Sequence, residues 1–180
     1  MKEIEKFFTK GGDGHMWWAE MTTPDATGKV ARKGDRAELR RCKSPSDVML
    51  LPAYHRLWWK ATEANVARHT TNSSEEAAMA FVAGILAHVS ENTTTSLGAA
   101  MGAKDGDNSV VSGLRFRKLL EIHDADQLYV TMIRIIRMLG RAAPIAAMAD
   151  DLMRWNNEKF RDDVRKKWAR DYYSTNPNAL

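Results

Sequence analysis

Apolar residues recur along this chain at helical spacing far more often than they alternate. Met79, Val82, Leu86 and Val89 stand at i, i+3, i+7 and i+10 behind Ser73-Ser74-Glu75-Glu76, a capping signal, and predict the best buried helix of the first half. In the second half, Phe116, Leu119, Leu120 and His123 share one side of a segment from Leu114 to His123. Leu128, Met132, Ile135, Ile136 and Leu139 do the same from Leu128 to Arg141. Ile145, Met148, Leu152 and Trp155 mark a helix after Pro144. Phe160, Val164, Trp168 and Tyr172, at i+4 steps, mark a last one surrounded by Arg161, Arg165, Lys166, Lys167 and Arg170.

The polar punctuation completes the reading. Short helices near Ile4 and over Met16 to Met21 are separated by Gly11-Gly12-Asp13-Gly14, and Thr22 to Gly28 reads as a loop. Asp35 with Glu38 resembles a capping box, and Ser44-Pro45-Ser46-Asp47 supplies an N-cap, a first-turn Pro and an acid for a helix restarting near Val48. Pro52 either interrupts that helix or begins another, which carries Tyr54, Leu57, Trp58 and Trp59. The Gly, Asp, Asn and Ser of 98–113 suggest a boundary. The expected architecture is all-α: two small helical bundles in one compact chain, over 1–100 and 101–180, the second bearing a basic face. A long loop within one domain is the other reading of 98–113.

Composition agrees. Of the apolar residues, 44% of the chain, Ala, Leu and Met number 47 against 16 for Val and Ile, which favours helix over sheet. The single Cys42 allows no internal disulfide and no Cys-rich zinc site, as in a reducing, cytoplasmic setting. The charged start Met1-Lys2-Glu3-Ile4-Glu5-Lys6 has no apolar signal region, and the longest uncharged stretch, Ala77 to Ser90, is too short to span a bilayer. Neither export nor a membrane partner is expected.

Most catalytic classes leave a spacing pattern that is missing here. Asp105-Gly106-Asp107-Asn108 starts like a calcium loop, but the sixth position is Val110 and the twelfth Phe116, so it reads as a turn. His15, His55, His69, His88 and His123 stand at no metal-ligand spacing, and no Gly-rich phosphate loop appears. Asp150-Asp151 and Asp162-Asp163 resemble nuclease carboxylates only in being paired, and nearby bases explain them as ion pairs. No catalytic residue, metal site or cofactor is expected.

What remains is charge placement. The net charge is +4, but residues 29–43 carry +5 and 113–141 carry +3, while 1–28 carry −2 and 44–112 carry −3. At 100° per residue, Arg134, Arg137 and Arg141 fall within a sector of about 60° opposite Met132, Ile135, Ile136 and Leu139. Val130 and Met138 share the arginine side, so it borders a partner as readily as solvent. Arginine suits phosphate because its planar fork donates two hydrogen bonds to one group. Arg115, Arg117 and Lys118 precede the stripe and Lys159, Arg161 and Arg165 follow it. A bundle that gathers them would hold a strand by phosphate charge with little base reading. Pairing within the chain, to Asp124, Asp126, Asp150 or Asp151, is the alternative. Tyr172 and Tyr173 are placed either to stack on bases or to pack an edge.

The ordered series Gly34-Asp35-Arg36-Ala37-Glu38-Leu39-Arg40-Arg41, Pro52-Ala53-Tyr54-His55-Arg56-Leu57, Ser96-Leu97-Gly98-Ala99-Ala100-Met101 and Leu114-Arg115-Phe116-Arg117-Lys118-Leu119-Leu120 carries a resemblance. It continues through the helix of Arg134, Leu152-Met153-Arg154-Trp155 and Trp168-Ala169-Arg170-Asp171-Tyr172-Tyr173. Over 34–173 the chain resembles the CasB family, the small subunit of the type I-E CRISPR Cascade complex. The resemblance implies a non-catalytic, all-helical, antiviral-defence subunit present as a head-to-tail homodimer within the complex. Its partners would be the backbone and large subunits, the guide RNA and the target DNA strands. Base pairing by the guide then supplies specificity, while protein contacts stabilise the heteroduplex and the displaced strand of the R-loop. The family's strand-contacting positions fall at Arg115, Arg134 and Lys159, with Arg161 a nearby substitute, since Asn156-Asn157-Glu158 stand where the family often has bases. Together with Arg117, Lys118, Arg137 and Arg141 these are the candidate nucleic-acid-binding residues. Arg36, Arg40 and Arg41 contact a strand or serve structure. A free-standing helical DNA-binding regulator is the rival reading, and it lacks a helix-turn-helix with base-reading residues.

Overall fold

A computed structural model describes residues 2–66 and 73–175, with the side chains of Lys2 and Ser73 excepted. The first half holds α1 (Lys2–Phe8), α2 (Asp13–Thr22), α3 (Lys33–Leu39), α4 (Pro45–Met49), α5 (Pro52–Glu63), α6 (Ser73–Leu86), β1 (Glu91–Asn92) and α7 (Leu97–Gly102). The second holds β2 (Lys104–Asp105), β3 (Asn108–Ser109), α8 (Gly113–Leu120), α9 (Ala125–Met138), β4 (Ala142–Ala143), α10 (Ile145–Trp155) and α11 (Glu158–Thr175). The protein is all-α, and its strands are two residues long. The Gly-rich 98–113 stretch contains α7 and then the β2–β3 hairpin, which turns through Gly106 at φ +62°.

Local chemistry explains several helix starts. Ser44 and Asp47 form a reciprocal capping box around Pro45 at the head of α4, and Pro52 opens α5 rather than interrupting a helix. One expectation fails. Asp35 does not cap α3, which begins at Lys33 behind Arg32; the Asp35 carboxylate sits inside the helix and pairs with Arg56 of α5. Tertiary pairing has won over the local signal. The start of α6 lies next to residues outside the description, which also include His69.

Every residue from Ala78 to Val89 is buried, so α6 is a central rod rather than an amphipathic surface helix. Helices α4, α5, α9 and α10 pack around it, α1 lies on α10, and α11 lies on α7. The buried side chains form one connected cluster drawn from both sides of 98–113.

The far end of α6 is closed by unusual donors. Arg36 Nε donates to the Ala87 carbonyl at 2.9 Å and its Nη2 to the Val89 carbonyl at 3.0 Å, while Trp18 Nε1 reaches the same Val89 carbonyl at 3.3 Å. The Ser90 and Glu91 amides then donate to the Arg141 carbonyl at 2.8 and 3.2 Å, beginning the parallel β1–β4 pair. Helix α9 ends there in a Schellman motif. Gly140 at φ +65° donates to the Arg137 carbonyl, and Arg141, itself at φ +67°, donates to the Ile136 carbonyl.

Helices α7 and α11 approach through Gly98 and Gly102, one turn apart. A Cβ on Gly98 would stand 2.6 Å from the Trp168 carbonyl oxygen and one on Gly102 2.5 Å from that of Tyr172. Tyr172 lies fully buried, stacked on Phe116 at 3.9 Å and donating to the Val111 carbonyl at 2.7 Å. It packs the core and has no face left for a base. Because the obstructing atoms are backbone, Gly98→Ala or Gly102→Ala should cost about 1–3 kcal/mol by overpacking. Gly34→Ala, in open space within α3, should instead gain up to about 1 kcal/mol from helix propensity. Urea denaturation of the three variants checks this contrast.

Candidate nucleic-acid interface

The outward face of α9 carries Val130, Arg134, Arg137 and Met138, and Arg141 follows just beyond its end; all are exposed. Among the described residues none of these arginines has an ion-pair partner. The acids that sequence offered them are engaged or elsewhere: the Asp124 side chain accepts from the Gln127 amide at 2.7 Å, and Asp151 holds Lys167 at 2.7 Å and Trp168 Nε1 at 2.8 Å.

The remaining predicted residues divide into two groups. Arg115, Arg117 and Lys118 are exposed on α8, whose Phe116 stacks on Tyr172 of α11, while beyond the C-terminal end of α8 His123 Nδ1 lies 3.2 Å from Arg161 Nη1. Arg161 therefore joins the end of α8, although its Nε is committed to the Trp155 carbonyl at 3.1 Å. Lys159 is exposed with its ammonium 5.6 Å from the Phe160 ring centre.

The second group is one that spacing along the chain did not reveal. Arg36 and Arg40, from α3 and its C-cap, lie near enough to His88 for their charges to act on it together with those of Arg137 and Arg141, whereas Arg41 is exposed. His88 is 2% exposed, and its Nε2 has no hydrogen-bond partner; Arg40 Nε is likewise buried and unpaired. Burial, and then the charges of Arg40, Arg137, Arg36 and Arg141, pull the His88 imidazole down to about 4. Burial first and neighbouring guanidinium groups second also lower Arg36 and Arg40. Some fifty residues lie between α3 and His88 and as many again between His88 and Arg137; only the packing of α6 joins them.

The acidic doublets make no common site. Asp162 pairs with Arg165 at 3.0 Å, Asp163 with Arg154 at 3.5 Å, and Asp151 with Lys167. Burial raises the Asp150 carboxyl, one of whose oxygens has no partner. Among the described residues no three His, Cys, Asp or Glu side chains converge as metal ligands, and no helix is long and apolar enough to cross a membrane.

Fold and surface together define a class: a small helical protein that, among its described residues, presents arginines without an acidic partner and gathers no cluster of metal-ligating side chains. The comparisons give the family. A profile described as CRISPR-associated protein Cse2 matches residues 35–173, and the chain belongs to that family. The fold is similar to the crystal structure of CasB from Thermus thermophilus, with 25% identity, 89% of this chain and 97% of that chain covered, and a TM-score of 0.59. A second crystal structure from Thermus thermophilus, of a CRISPR-associated protein of the Cse2 family, matches as a fold, at 24% identity, 90% and 96% coverage and a TM-score of 0.59. No curated protein matches the sequence. The resemblance drawn from the ordered motifs is thereby supported over nearly the same span.

The His88 environment has a pH consequence. The folded imidazole titrates near 4 against an ordinary 6.5, so the unfolded chain takes the proton first as pH falls. Its contribution to stability is complete above pH 6.5 and is lost between 6.5 and 4. His88→Gln abolishes that titration. The difference in urea midpoint between the two proteins should move in the variant's favour as pH falls from 7 to 4.5, and a constant difference would contradict the assignment.

Proposed function

We propose that this chain is the non-catalytic small subunit of a type I-E CRISPR Cascade complex, gripping nucleic-acid strands through its basic surface without reading bases. Membership of the Cse2 family supports the Cascade role. The unpaired arginine face of α9 carries the nucleic-acid reading. A phosphate backbone supplies the acid that the protein withholds, and guanidinium forks accept it in many registers. Arg134 on α9, Arg115, Arg117 and Lys118 on α8, and Lys159 near the start of α11 are the strand contacts, with Arg161 holding the end of α8 as well as lending charge.

In the assembled complex this surface stabilises the guide RNA–target DNA heteroduplex and the displaced strand, leaving sequence choice to base pairing. A head-to-tail pair of copies would lengthen the basic track, and the apolar Val130 and Met138 beside it suit a seam with another subunit or copy. The backbone and large subunits complete the partner set, in the cytoplasm.

The test is reconstitution with guide RNA and partner subunits, carrying Arg115→Glu and Arg134→Glu together. Both side chains are exposed and unpaired in the described structure, so helical content should be unchanged while retention of target DNA falls. Neutralising the same two with Gln should reduce the slope of log affinity against log salt by about 1.4–1.8, at about 0.7–0.9 per phosphate contact. Unchanged retention would remove these residues from the strand path, and tight binding to one duplex sequence by the isolated protein would favour a free-standing regulator.

A further inference from the structure

The charges of Arg36, Arg40, Arg137 and Arg141 all act on His88, and none of the four has an ion-pair partner among the described residues. Arg36 is fixed there by bonds to the Ala87 and Val89 carbonyls and by a 2.8 Å bond to Ser90 Oγ. Ser90 in turn donates its amide to the Arg141 carbonyl at 2.8 Å, so α3 and the end of α9 meet across one residue. Two buried nitrogens at this junction, Arg40 Nε and His88 Nε2, have no partner.

Helix polarity accounts for part of this arrangement. The C-terminal ends of α3, α6 and α9 all reach the junction, and each contributes at most roughly half a negative charge. That leaves most of four positive charges unmatched in a half-buried place, beside two buried nitrogens without a partner. An oxyanion would satisfy both deficits. A phosphate has four acceptor oxygens arranged tetrahedrally, which can take donors from α3 on one side and from the end of α9 on the other, and the exposure of Arg137 and Arg141 leaves an entrance from solvent.

We propose that Arg36, Arg40, Arg137 and Arg141, with His88, form a discrete seat for one phosphate group that clamps α3 to the end of α9. The phosphate is either the free inorganic anion or one phosphodiester of a bound strand. This differs from a diffuse basic surface in a measurable way: a seat saturates with phosphate at constant ionic strength, whereas a diffuse surface responds to ionic strength alone.

The experiment titrates inorganic phosphate into the full chain at fixed ionic strength, balanced with chloride, and follows thermal unfolding and the His88 imidazole by NMR. Expected are a saturable rise of several degrees in melting temperature and an upward move of the His88 titration. Both should be lost in Arg137→Gln with Arg141→Asn, Asn being tolerated at positive φ. Both should persist in Lys29→Gln with Lys104→Gln, an equal loss of charge at two exposed lysines outside the junction. Competition between phosphate and a dT12 oligonucleotide, beyond that of chloride, would assign the seat to a strand phosphodiester; its absence would assign it to the free anion. Equal responses in wild type and the double variant, or no response in wild type, would overturn the seat. Because strand binding is read separately through Arg115 and Arg134, the seat and the strand surface fail or survive independently.

Discussion

Burying a helix on all sides creates a problem at its end, where the last carbonyls have no partner within the helix and no water nearby. In this protein that end is the segment Ala87–Val89 beyond α6, and much of the structure is arranged to satisfy it. Arg36 and Trp18 supply side-chain donors to Ala87 and Val89. The chain then turns into β1, whose amides find the Arg141 carbonyl and β4. Closing one helix end therefore fixes α2, α3 and the turn after α9 against each other. A charged donor is well chosen for this task, since hydrogen bonds from an ionised group are roughly twice as strong as neutral ones and the helix C-terminus favours positive charge.

The same solution produces the electrostatic character of that side of the molecule. Arg36 is brought in for structural reasons and carries Arg40 with it, one helical turn on. The Schellman ending of α9 places Arg137 in the last turn and Arg141 just past Gly140. Each residue has a local reason to be where it is, but their sum is an excess of charge with no acid inside. His88 registers that excess, held neutral by burial and by the four cations around it. The two arginines differ in what the fold already takes from them: the Arg36 guanidinium is largely spent on carbonyls, whereas Arg40 keeps a buried Nε without a partner.

How far the sequence was legible follows from the range of the interactions. The periodicities of α9, α10 and α11, the N-cap at Ser44 and the turn at Gly106 depend on residues within one or two helical turns, and all were readable. The exposed stripe of Arg134 and Arg137 was readable for the same reason. The Asp35 signal misled because its carboxylate was taken by Arg56, twenty-one residues away, and local propensity had no means of showing that competition. Tyr172 sits at a helical position that sequence left open between base stacking and packing, and only its contact with Phe116, across from another helix, decides for the core. The arginine cluster was the least legible feature of all: its members come from segments that only a buried α6 brings together, and a single His88 gives no periodic sign of what surrounds it.

These two kinds of arginine suggest how one small surface can combine firmness with tolerance. Arg115, Arg117 and Arg134 stand on exposed helix faces, where on the proposed function long side chains would adapt to phosphates in varying positions and each contact would be weakened by salt. Arg36, in contrast, has lost its rotamer freedom to the fold, so whatever entropy its ordering costs is already spent before a ligand arrives. A strand crossing both regions would be fixed at the rigid junction and merely guided elsewhere. On the proposed function, that division would suit holding nucleic acid of any sequence: position would be set by a few preorganised donors, and the rest of the contact would remain electrostatic and indifferent to bases.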